Sequence, residues 1–363
     1  MSEQVGGNIP LPRRPAAASA RRPREALGRL AFLLHIDGTE CRLSVHFFLR
    51  TLPPMRTLAA TAVPSPAAEA TTQTDALRTA LADFKELLKP GITTFVVVMA
   101  AAGYVLAAEG PINWFVLLGL MLGTGLTAGG GAALNHALER DHDARMARTA
   151  SRPIPSGRVS ALVATAYGLA CAALGAGVLF ETTNPVTTGL AVLTVLLYVA
   201  VYTPLKRVSV WNTLVGAVPG ALPALGGAAA ATGRADATGW ALFAVLFLWQ
   251  LPHFFALAWM YREDYRQAGY RMLPTARGGE RTLAWIVLGS TLLLLVAGVV
   301  PAALGQAGPL YLAGMGVLGV AFTLPAFSFF SEPDDRRARR LLLASIAYVP
   351  AFFALVVVDF LLR

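Results

Sequence analysis

From about residue 92 to its end, the chain alternates long apolar runs with short charged connections. Nine runs reach roughly 17 to 25 residues, the helix length that crosses ~30 Å of hydrocarbon. They lie near 92–108, 114–138, 160–180, 186–202, 210–232, 239–261, 283–304, 309–330 and 341–362. The runs are continuous and rich in Leu, Ala, Val and Gly, without the period-2 alternation of a membrane barrel. The pattern predicts an all-α, polytopic membrane protein with nine transmembrane helices in the lipid bilayer. Upstream, Leu77, Leu81, Phe84 and Leu88 recur at helical spacing. They predict an amphipathic surface helix over 76–88 that leads into Lys89 and Pro90.

Composition agrees with that reading: 55% of the residues are hydrophobic and 14% charged, against about a quarter charged in a soluble protein. Charge then sets orientation. Basic residues crowd the loops after the second, fourth, sixth and eighth runs, within 140–158, at Lys206 and Arg207, within 262–281 and within 336–340. The opposite loops hold only Arg234, with Arg363 at the C-terminus. The positive-inside rule places the N-terminus and the basic loops in the cytoplasm of a bacterial cell, or in the matrix if the membrane is mitochondrial. The net charge of +9 thus reports topology, and no nucleic-acid motif accompanies it.

Cys41 and Cys171 lie far apart, without metal-ligand spacing. Residues 1–30 are rich in Arg, Pro and Ala with few acids, and 57–74 are rich in Ala, Thr and Pro. Such composition does not build a core. It predicts that 1–75 are a disordered or spurious extension, read as a transit peptide or as translation upstream of Met55, and that 76–363 form one membrane domain.

Candidate chemistry gathers at the basic ends. On a helix continuing from the second run, Asn135, Glu139 and Asp143 stand at i, i+4 and i+8, within about 80° of one another. Such a column of oxygen ligands suits Mg²⁺, which is held by one or two carboxylates plus substrate phosphates. Arg148 and Arg152 follow with the forked donors that recognise phosphate. The alternative is a set of solvated ion pairs at a helix end. Tyr202, Lys206 and Arg207 after the fourth run offer a second phosphate contact, or an interfacial Tyr with topogenic flanks. His253 lies inside the sixth run, eleven residues before Asp264. That gap returns to within about 20° on a helix, so the two are expected to face one cavity; packing beside Pro252 is the alternative for His253. The acidic column follows the second run and Asp264 the sixth, which suggests two four-helix units and one further helix around a central cavity.

Three separated stretches carry a resemblance. NHALERDHDARMARTASRPIPSG (135–157), YTPLKRVSVWN with GAVPGALPALG (202–226), and WQLPHFFALA through DYRQAGYRMLP (249–274) resemble the haem-modifying branch of the intramembrane prenyltransferase superfamily. The resemblance spans about residues 80–362. It implies Mg²⁺-dependent transfer of a farnesyl group from farnesyl diphosphate to a vinyl group of haem B, with addition of water, giving haem O for terminal oxidases. It further implies a haem A synthase as downstream partner. On that basis Asn135, Glu139, Asp143 and Asp264 are the expected catalytic and metal-binding residues. Arg148, Arg152, Tyr202, Lys206 and Arg207 are expected on diphosphate, and His253 and Arg262 on haem. Glu139 stands where the superfamily commonly carries Asp. A related enzyme prenylating a quinone precursor or chlorophyllide would carry an Asp-rich second motif without PHF. A secondary transporter would account for His253 but gives no reason for the acidic column.

Overall fold

The computed structural model describes residues 66–362. Of the extension expected over 1–75, residues 1–65 lie outside the described residues. An amphipathic helix, α1 (Pro66–Leu87), comes first. It starts earlier than the apolar spacing suggests, because residues 66–74 form its first turns. The order continues with α2 (Pro90–Ala107), α3 (Trp114–Asp143) and α4 (Ala161–Thr182). Next come α5 (Pro185–Leu196), a π-helical turn (Leu197–Tyr202) and α6 (Thr203–Leu205), which form one span. Then follow α7 (Asn212–Thr232), α8 (Ala237–Met260), the short α9 (Arg262–Gln267), α10 (Gly279–Ala303), α11 (Pro309–Ser331) and α12 (Asp335–Leu362).

Among the described residues nine helices are long and apolar enough to cross a membrane, and they match the nine apolar runs. The protein is an all-helical, multi-pass membrane protein. Local sequence sets the helix starts: Asn113, Ser160, Asn184 and Asp236 each accept backbone N–H bonds as N-caps. Large side chains such as Leu118, Leu162, Val317 and Leu324 stay exposed on the outside of the bundle, where lipid solvates them.

Because lipid tails are as apolar as the helices, close backbone approach does the joining. A Cβ placed on Gly227 of α7 would lie 1.9 Å from the Ala100 carbonyl oxygen of α2, and one on Gly130 of α3 would lie 2.5 Å from the Gly168 carbonyl oxygen of α4. So α2 runs against α7 and α3 against α4. On the other side α8 packs on α10, α10 on α11, and α12 contacts α8, α11 and α2.

Candidate active site

The site forms where α3 ends, and its acidic column is buried. Asn135 is 0%, Glu139 4% and Asp143 1% exposed. Each meets a basic side chain from another part of the chain. Lys89 Nζ donates to Asn135 Oδ1 at 2.6 Å. Lys206 Nζ donates to Glu139 Oε1 at 2.7 Å, and Arg152 Nη1 to Asp143 Oδ2 at 2.7 Å. Asn135 Nδ2 donates to Thr203 Oγ1 at 2.9 Å, which fixes the amide with its oxygen toward Lys89.

The backbone is shaped to deliver these groups. Lys89 has φ 47°, the left-handed region, directly before Pro90. This conformation, uncommon for a side chain with a Cβ, turns the chain from α1 into α2. The π turn re-aims the end of the α5 span and stacks Tyr198 on Tyr202 at 5.7 Å between ring centres. Lys206 Nζ then lies 4.6 Å from the Tyr202 ring centre and 5.7 Å from that of Tyr270. The Lys206 carbonyl accepts from Arg271 N at 2.8 Å, joining the two basic loops. Thr149 Oγ1 donates to the Asp143 carbonyl at 2.8 Å and thereby holds the first basic loop under the column.

Electrostatics follow from this crowding. Burial pushes the Lys89 ammonium down to about 7; Glu139 pulls the other way, while Lys206 and Arg152 add to the fall. Burial also opposes charge on Lys206, but Tyr202, Glu139 and Tyr198 hold it well above the ordinary lysine range. Two basic groups at one site thus differ: one firmly charged, one poised near neutrality.

Several expected residues meet here and others do not. Arg148 lies 3.9 Å from Asp264 and over the rings of Tyr261 and Tyr265 at 5.2 and 5.3 Å, so the first and third basic loops touch through it. Arg207 Nη2 donates to the Leu138 carbonyl at 2.7 Å, near the end of α3. Arg262 Nη1 is bound to Asp335 at 2.7 Å and to the Trp259 carbonyl at 2.7 Å; it closes α8 onto α12. The expected alignment of His253 with Asp264 on one helix is corrected: Tyr261, with φ −105° and ψ 20°, breaks the helix between α8 and α9. His253 pairs with Ser345 instead.

Sequence reasoning missed Lys89, Thr203, Tyr198 and Tyr270 as site residues, and also His136. That ring is 2% exposed, both its nitrogens lack a hydrogen-bond partner among the described residues, and its Nδ1 lies 3.9 Å from Asp143 Oδ2. Its position beside Asn135 was the available signal.

Among the described residues no three His, Cys, Asp or Glu side chains converge on one point. A divalent ion here would therefore complete its shell with the Asn135 oxygen, phosphate and water, as Mg²⁺ habitually does. The donor set fits such an ion: hard oxygens, buried, and already balanced by cations.

Among the described residues, a buried oxygen column ringed by Lys and Arg thus stands at the end of α3 in a bundle of nine candidate spans, and the family match gives the class, an intramembrane prenyltransferase. The chain belongs to the UbiA prenyltransferase family, which matches residues 96–356. It is 45% identical over 280 residues to the protoheme IX farnesyltransferase of Salinibacter ruber, covering 77% of this chain and 99% of that one. To the protein of the same name from Solibacter usitatus it is 41% identical over 286 residues, covering 76% and 98%. Among solved structures, a UbiA homolog from Archaeoglobus fulgidus bound to DMAPP and Mg²⁺ shares the fold. Its TM-score is 0.60 at 16% identity, covering 76% of this chain and 99% of that chain.

Proposed function

We propose that this protein transfers the farnesyl group of farnesyl diphosphate to a vinyl group of haem B, with addition of water, giving haem O and diphosphate. The observation that carries the reading is identity above 40%, over nearly the whole of their length, to proteins named protoheme IX farnesyltransferase, together with a cation-lined oxygen column of the right chemistry. The terminal vinyl carbon bonds to C1 of the farnesyl chain as the C1–O bond breaks and the pair leaves with diphosphate. The neighbouring vinyl carbon takes a hydroxyl from water, and the water's second proton departs.

Ionising an allylic diphosphate is limited by the negative charge growing on the leaving oxygens. Lys206 and Arg152, now on Glu139 and Asp143, and Lys89 on Asn135 supply positive charge and donors there. Mg²⁺ held by Asn135, Glu139 and Asp143, with Asp264 beside Arg148, would add Lewis-acid charge neutralisation. Arg148 and Arg207 guard the rim, where they meet diphosphate arriving from water. Tyr202 seats Lys206 by cation–π contact. His253 contacts haem from α8. An apolar cleft of about 30 Å³ opens between α2, α3, α5 and α7, lined among others by Val96, Leu120, Leu190, Leu222 and Pro223.

The basic loops face the cytoplasm, where farnesyl diphosphate is soluble, and haem O passes within the bilayer to a haem A synthase. Purified protein in detergent is assayed with haem B, farnesyl diphosphate and Mg²⁺, with and without EDTA. An EDTA-sensitive product of the mass of haem O supports the reading. Prenylation of a quinone precursor instead of haem would retain the diphosphate site and discard the haem acceptor.

A further inference from the structure

His253 sits in α8 at its seam with α12, with its ring stacked on Trp249 at 5.2 Å between centres. Its Nδ1 lies 2.8 Å from Ser345 Oγ, and Ser345 is fully buried. Which atom carries the proton is decided one bond further on. Ser345 Oγ lies 2.6 Å from the Leu342 carbonyl oxygen. Two oxygens that close repel unless a proton lies between them, and a serine hydroxyl has one proton to give. The hydroxyl therefore donates to Leu342 and accepts from the imidazole, so Nδ1 carries the hydrogen.

Nε2 is then left with its lone pair. It has no hydrogen-bond partner among the described residues, and it is not sealed in protein as the His136 nitrogens are. The arrangement is held from a second direction. Trp249, one turn before His253, donates Nε1–H to the Ser345 carbonyl at 3.0 Å, so both the backbone and the side chain of Ser345 are pinned to α8. Phe95 of α2 packs on Trp249 at 5.3 Å, which braces the indole from the third helix at this seam. A ring held in one tautomer by an oxygen partner, with the opposite nitrogen bare, is the way proteins present histidine to a metal.

We propose that Ser345 is a positioning residue that fixes His253 as its Nδ1–H tautomer and so presents Nε2 as an axial ligand to the iron of the haem substrate. The proposal rests on the haem-prenylating reading above. Iron ligation holds the macrocycle at one depth beside α8, about seven residues in from the end of that helix at Met260. His253 touches the substrate; Ser345 and Trp249 act through it.

The test uses the full chain in detergent, titrated with ferrous and ferric haem B and read by absorption and by the iron–histidine stretch in resonance Raman. The wild type is expected to show that stretch. His253→Ala should lose it and regain it when imidazole is added. Ser345→Ala should shift it to lower frequency and weaken haem affinity about tenfold or more, the usual effect of losing a partner behind a ligand, whereas Ser345→Thr should keep both near wild type. Undiminished binding of a farnesyl thiodiphosphate establishes that the variants are folded. A stretch retained in His253→Ala, or unchanged frequency and affinity in Ser345→Ala, overturns the proposal. Wild-type protein that makes haem O yet shows no iron–histidine stretch also overturns it and leaves the proposed function standing. Protein that makes no prenylated haem at all removes both.

Discussion

Lys89 and Asn135 stand 2.6 Å apart although 46 positions separate them in the chain. That contact joins the start of the first membrane span to the head of the acidic column. Lys89→Met should therefore act on the diphosphate substrate. Hydrogen bonds to charged groups are worth about 1.5–3 kcal/mol, so KM for farnesyl diphosphate is expected to rise by roughly ten- to a hundredfold. Steady-state kinetics with haem saturating checks it. An unchanged KM would place Lys89 outside the substrate's reach.

The same lysine gives a pH dependence whose sign is fixed. Its pKa falls from 10.5 in the open chain to about 7 in the fold. Between those values the unfolded state binds more protons, so stability rises with pH across that window and the contribution is lost as pH falls toward 7. Melting in detergent from pH 7 to 10 should climb in the wild type more than in Lys89→Met. Bound diphosphate restores the charge, so binding at pH 8 is expected to take up a proton. Calorimetry in buffers of different ionisation heat reads that directly.

Asp143→Ala and Asp264→Ala are expected to lower turnover at least a hundredfold, the scale of losing one group that balances developing charge, while the protein still inserts in membranes. Near-normal activity in either would remove it from the metal set. Asp143→Ala should also lose some stability, since it strands Arg152 without its buried partner.

Helix contact offers a paired test away from the chemistry. In Gly227→Ala the new methyl meets the Ala100 carbonyl, which is backbone and does not yield. The expected cost is about 1–3 kcal/mol, seen as a lower melting point. Gly177→Ala, with nothing within 4 Å of its Cβ position, should be neutral or slightly stabilising. Equal effects at the two positions would contradict the close approach of α2 and α7.

Why some of this was legible in the chain and some was not has a physical basis. Spans are a one-dimensional signal, since twenty apolar residues in a row need no partner to be recognised, and all nine emerged. The Asn135, Glu139, Asp143 column was legible because helical spacing is local. Lys206 on Glu139 and Lys89 on Asn135 were not, because each pairs groups 46 or more positions apart. A lysine beside an apolar helix reads as an interfacial anchor until the fold buries it. The expected His253–Asp264 alignment failed for the opposite reason: local spacing was trusted across Tyr261, where the helix stops.

The π-helical turn at Leu197–Tyr202 carries a consequence of its own. A π turn is one residue more than a regular helix would use over the same rise, so everything after it is rotated by about 100° relative to everything before it. Tyr202, Thr203 and Lys206, which touch or lie beside the column, all fall at or after that surplus residue. A single deletion within 197–201 would keep the span apolar and long enough for the bilayer and heal the helix. It would also turn the lysine away from Glu139. In this stretch the length of the gene, counted to one codon, decides whether Lys206 meets Glu139.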